Sequence, residues 1–155
     1  MKNRDLLVSL IVALLVAGCS YQAAVKRDVN SQFYEIRPGS KLILHRTIEI
    51  PAGTAHVTFG SGYYGGNCEF EVRTLGPGEV QPDSFVVTRA WSAREWISHP
   101  GIMRFYRVIK LHSERQPDVL QLVCQDWDGP LMGRDISVAE MRAALGDTFS
   151  FEFAP

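Results

Sequence analysis

The chain has 155 residues, 46% hydrophobic and 21% charged, with a formal net charge of −1. This is the composition of an ordinary folded globule large enough for one domain, and it excludes a disordered chain. With no basic excess and no block of like charge, it also argues against nucleic acid as a partner.

Lys2 and Arg4 give the chain a positive start, and in the apolar run from Leu6 to Ala17 only Ser9 is polar. As a helix the run spans about 18 Å, well short of the roughly 30 Å hydrocarbon core of a bilayer. Length and flanks therefore favour a processed secretion signal over a permanent membrane span. The run ends in Val16-Ala17-Gly18-Cys19, with small residues directly before a cysteine. These four residues and the run before them resemble the lipobox of bacterial lipoprotein precursors. The resemblance implies that residues 1–18 are a signal peptide that is cleaved off. It also implies a diacylglycerol on the Cys19 sulfur and, commonly, a further acyl chain such as palmitate on the new amine. Several chains at one residue exceed the two signals that stable anchoring needs. Ser20, not aspartate, follows the cysteine. By the same resemblance this favours the outer membrane, with the domain facing the periplasm.

Residues 19–32 read as a lipidated tether, polar and carrying Lys26, Arg27 and Asp28. From Ser20 to Gln32 the tether reaches about 45 Å fully extended and about 20 Å on average if flexible. Residues 33–155 are then a single β-rich domain.

Within that domain turn signals recur at short intervals: Pro38-Gly39, Pro51 to Gly53, Gly60 to Gly66, Gly76-Pro77-Gly78, Pro100-Gly101, Pro117-Asp118 and Gly129-Pro130. The segments between them are short and rich in β-branched and aromatic residues. The pattern predicts a mostly-β fold, a small antiparallel sandwich or partly closed barrel. Candidate strands are Lys41 to Ile50, Thr54 to Phe59, Cys68 to Arg73, Ser84 to Ala90 and Ile102 to His112. The last changes phase near Arg107, which predicts a bulge there. In Cys68 to Arg73 the residues Cys68, Phe70 and Val72 share one face, and Glu69, Glu71 and Arg73 the other. Leu120, Leu122 and Cys124 form a second apolar face.

Cys68 and Cys124 are thus an even pair on inward faces, and the exported compartment is oxidising. A disulfide between them is the natural reading; two buried free thiols or half a metal site are the alternatives. No CxxC or Cys/His spacing supports zinc. Near the end, Ser137-Val-Ala-Glu140 has the form of a capping box, followed by helix formers and Gly146. This predicts one helix in the C-terminal region, with Val138, Met141 and Leu145 covering an end or edge of the sheet. Phe149, Phe151 and Phe153 then alternate as an inward-facing strand.

Chemistry is sparse. Gly60-Ser-Gly62-Tyr-Tyr-Gly65 matches GxGxxG, but a strand and not a helix follows it, so it reads as a hairpin loop. His45 and His56 fall on neighbouring predicted strands and lack a third metal ligand; His99 and His112 are scattered. Asp126-Trp127-Asp128-Gly129 lacks the spacing of a calcium loop. No GxSxG occurs, and Glu69 and Glu71 sit on a solvent face. The sequence therefore assigns no catalytic residue, cofactor or metal.

The stretch from Arg89 to Arg107 interleaves Trp91, Trp96, Phe105 and Tyr106 with Arg89, Arg94, Arg104 and Arg107. These residue types dominate binding hot spots, although tryptophans in small β domains also fill cores. Trp91, Arg94 and Trp96, with Tyr63 and Tyr64 at the glycine-rich loop, are the candidate contact surface. The reading is a non-catalytic, lipid-anchored envelope protein that binds a periplasmic protein or envelope component near the outer membrane. The alternative is a binder of a small molecule or lipid in a cavity inside the β domain.

Overall fold

The computed structural model describes residues 28–61 and 66–155. The signal segment, Cys19, the tether before Asp28, and Tyr63 and Tyr64 lie outside the described residues. The elements in chain order are β1 (Lys41–Leu44), β2 (Ile48–Ile50), β3 (His56–Gly60), β4 (Asn67–Val72), β5 (Gly78–Val80), β6 (Asp83–Ser98), β7 (Ile102–His112), β8 (Val119–Asp128), α1 (Val138–Leu145) and β9 (Phe149–Glu152). Seven strands form one antiparallel sheet in the order β3-β4-β8-β7-β6-β1-β9, while β2 and β5 pair separately. The fold is the partly closed barrel of the sequence expectation: among the described residues, one curled sheet with one short helix, not two stacked sheets.

Period-two alternation sets the concave face. Leu42 and Leu44, Cys68 and Phe70, Phe85 and Val87, Ile109 and Leu111, Leu122 and Cys124, and Phe149 are all buried on it. Their rings show how far the sheet curls. Phe70 on β4 lies 5.2 Å from Phe149 on β9, and Phe59 on β3 lies 5.4 Å from Phe149. β3 and β9 are opposite edges of the sheet, so curvature alone brings these rings together. Helix α1 fills the remaining gap with Val138, Met141 and Leu145, packing on β3, β4 and β9.

The capping box forms as its residues predict. The Glu140 amide donates to Ser137 Oγ, and the Ser137 amide donates to Glu140 Oε2 at 2.8 Å. Gly146 closes the helix at φ 58°, its N–H bonding the Arg142 carbonyl. The Arg134 guanidinium grips the Glu140 carboxylate from outside the helix.

Three local expectations need correction. Lys41 to Ile50 is not one strand. The His45 amide bonds the Thr148 carbonyl and the Arg46 guanidinium ties to Thr148 and Asp147, so the chain leaves the large sheet there. It re-forms as β2 against β5. The bulge expected near Arg107 lies instead on the partner strand, where the register slips between Val87 and Arg89. β7 keeps its phase because Arg107 itself takes an inward position in the row of Phe105, Ile109 and Leu111. Finally, His45 and His56 do not lie on neighbouring strands of the sheet. His45 Nε2 meets Ser150 Oγ at 2.8 Å on one edge of the sheet, whereas His56 pairs with Glu71 near the other.

Cys68 and Cys124 are directly opposed on β4 and β8 and joined by a disulfide. The bond closes a loop with a sequence separation of 56, for which chain entropy gives about 4 kcal/mol. Replacing both cysteines with alanine should lower the free energy of unfolding in denaturant by that order; no change would remove the bond from the stability of the fold. A second expectation concerns acid. The Arg134 hydrogen bond, aided by those from Ser137, outweighs partial burial and holds the Glu140 carboxyl down at about 2. A depressed folded-state pKa gives stability that is present above the ordinary carboxylate range and lost as pH falls toward 2. Glu140→Gln should therefore flatten the acid limb of the stability profile between about pH 5 and 2, and an unchanged limb would contradict this role.

Candidate binding surface

β6 is far longer than the strand expected from Ser84 to Ala90. Its first residues, Asp83–Val86, pair with β1. From Thr88 onward, no described strand pairs along its outer edge, while its inner edge stays paired with β7 as far as Ser98. β6, β7 and β8 thus continue as a three-stranded ribbon beyond the curled core.

The bulge at Thr88 exchanges the faces of β6. Past it, Ser92 lies opposite Arg107, Arg94 opposite Phe105 and Trp96 opposite Met103, all on the concave side. Trp91, opposite Val108, is on the outer side. The structure therefore brings Arg94 and Trp96 together but places Trp91 on the other face. The Arg94 guanidinium lies over the Phe105 ring at 5.8 Å. Trp96 is 48% exposed and meets only the His99 ring among the described aromatic contacts, at 4.7 Å. On the outer face, Arg89 lies over the half-buried Trp91 at 4.9 Å, and Arg104 pairs with Glu95 at 2.9 Å while stacking on Tyr106. Glu69 and Glu71 are on this face too, accepting from Gln125 and Gln121. Several of its charged groups thus pair with one another or with neighbouring amides along the sheet.

The sequence reading missed two contributors at the ribbon's tip. Leu131 is 94% exposed and Met132 79%, in a turn where the amides of Met132 and Gly133 both donate to the Gly129 carbonyl. The turn is clamped on the ribbon: a Cβ at Gly133 would lie 1.9 Å from Phe105 Cε2. Gly129-Pro-Leu-Met-Gly133, two apolar residues inside a glycine-bounded turn, was the available signal. With Trp96 and Ile97, these side chains give one end of the molecule an exposed apolar rim.

At the base of the ribbon, where it meets the core, lies an open cleft of about 290 Å³. Residues 32–36 cross the concave side here, at the boundary between the expected tether and the domain. Phe33, Tyr34, Ala90, Ser92, Arg107 and Asp135 are among the lining residues. Arg107 is only 5% exposed. Its Nε donates to Ser92 Oγ at 3.2 Å and its Nη2 to the Gln32 carbonyl at 3.0 Å. Nη1 is buried without a hydrogen-bond partner, as is the side-chain oxygen of Gln32. Burial depresses the Arg107 pKa, and the charge of Asp135 partly offsets this. A second cleft of about 390 Å³ lies around Leu75, Pro77 and Pro117. There Asp118 accepts from the Thr74 amide and hydroxyl.

Among the described residues no group of three or more His, Cys, Asp or Glu is placed to hold a metal, and no helix is long and apolar enough to cross a membrane. Comparison with protein families, curated proteins and solved structures finds no match to this chain.

The two kinds of position at the ribbon tip should respond differently. Trp96→Ala should change stability by no more than about 0.5 kcal/mol, as at an exposed site. Gly133→Ala, which drives a methyl group into Phe105, should cost about 1–3 kcal/mol. Thermal or denaturant unfolding of both variants checks this; equal losses would contradict the assignment of Trp96 to the surface.

Proposed function

We propose that this chain is a lipid-anchored, non-catalytic envelope protein that holds a periplasmic protein or envelope component near the outer membrane through the free side of its ribbon. The signal and Cys19 supply the anchor in this reading, on the strength of the lipobox resemblance. The observation that carries the binding part is the edge of β6 from Thr88 to Ser98, along which no strand pairs among the described residues, ending in exposed Trp96 and Ile97. An open strand edge offers backbone N–H and C=O groups to a partner's extended segment, and the flanking side chains give specificity. Arg94 and Trp96 on one face suit that role, as arginine and tryptophan anchor many interfaces.

Photo-crosslinking in intact envelopes tests both parts. A crosslinker at position 96 should give one dominant protein adduct, and one at Lys41, on the outer face of β1 beside the other end of β6, should not. Cys19→Ala should shift the protein out of the outer-membrane fraction. Identical adducts at both positions, or none, would end the binding part; unchanged fractionation would end the anchor.

A further inference from the structure

We propose that the cleft over Arg107 binds a carboxylate carried on a small apolar body. This second site lies at the base of the ribbon edge, with which it shares Ala90 and Ser92. The starting observation is that an arginine occupies an inward position that the strand's alternation reserves for apolar side chains. A buried guanidinium stays protonated, so its charge and its five N–H groups all need partners. Nε and Nη2 have theirs in Ser92 and the Gln32 backbone, which fix the plane of the group. Nη1 has none. Neither partner in place is charged, and Asp135 acts on Arg107 only through its field, outside ion-pair contact.

Two demands are thus unmet on one side chain: a hydrogen-bond acceptor for Nη1, an atom with almost no accessible surface that a ligand reaches only when the side chain shifts, and a contacting negative charge for the guanidinium. A carboxylate oxygen meets both, and a charge-assisted hydrogen bond is stronger than a neutral one. The size and walls of the cleft narrow the choice further. Its volume is at the low end of ligand pockets, which run from about 300 to 1,000 Å³. Phe33, Tyr34, Ile36 and Ala90 supply apolar surface beside the charge. A compact acid with a flat or short apolar part fits this description better than a phosphate, which would expose its remaining oxygens to those walls. Glu35 and Asp135, which also line the cleft, both oppose an anion and so limit its affinity.

The test uses the mature lipidated chain in nanodiscs, with the arginine Nε–H resonances as the readout. The Arg107 signal is identified by its loss in Arg107→Lys or its displacement in Ser92→Ala. Benzoate should shift it, acetate should do so more weakly, and the neutral isostere benzamide should bind roughly tenfold less well than benzoate. Asp135→Asn, a change at the rim, should tighten benzoate about three- to tenfold by removing a nearby negative charge. No response to benzoate would overturn the proposal and leave Nη1 to a bound water. Benzamide matching benzoate, inorganic phosphate exceeding it, or Asp135→Asn leaving its affinity unchanged would overturn it equally. If Arg107→Lys does not fold, the benzoate–benzamide contrast and Asp135→Asn still decide.

Discussion

The curl of one antiparallel sheet is the constraint on which the rest of this structure depends. A single sheet has two faces, and a stable small domain must bury at least one of them. Here the burial is achieved by bending, so that phenylalanines from β3, β4, β6 and β9 meet across the concave side. Helix α1 then covers what curvature leaves open. The cross-strand Cys68–Cys124 bond sits in the same buried row and ties two of the strands that carry it.

Curvature can bury only part of a sheet whose central strands are long. β6 and β7 run on past the end of β1, and the residues beyond have the helix neither above nor beside them. The molecule therefore divides into a closed half, where inward positions are apolar, and an open half, where they become Ser92, Arg94, Trp96 and Arg107. Arg107 stands at the boundary. Its neighbours along the strand are core residues, yet its guanidinium meets the crossing chain at Gln32 and a solvent-connected cleft. The bulge at Thr88 marks the same boundary on β6, as bulges do where a sheet stops following its own regular pattern.

Much of the closed half was legible in the sequence. The alternation of Cys68, Phe70 and Val72, the Ser137–Glu140 capping box and the phenylalanines of β9 are local patterns whose physical cause is local, and each element formed where its pattern lies. The open half was less legible, for two reasons. Periodicity counts apolar residues, so an inward arginine looks like a break in phase and reads as a bulge at Arg107. Its partners at Ser92 and Gln32 are 15 and 75 residues away, and one of them is a backbone carbonyl that no residue type announces. The contact stretch was found from its composition, but only the register shows that Trp91 and Trp96 occupy opposite faces.

The division into a closed core and an open ribbon is tested most directly by native-state hydrogen exchange on the paired backbone amides. Amides of β1, β4 and the β7–β8 segment around Ile109 and Leu122 should exchange only through global unfolding. Those joining Arg94–Ser98 to Ile102–Phe105 should exchange through a smaller, local opening with little denaturant dependence. If the ribbon amides proved as protected as those of the core, the ribbon would be part of the folding unit and this account of a surface held free for binding would be wrong.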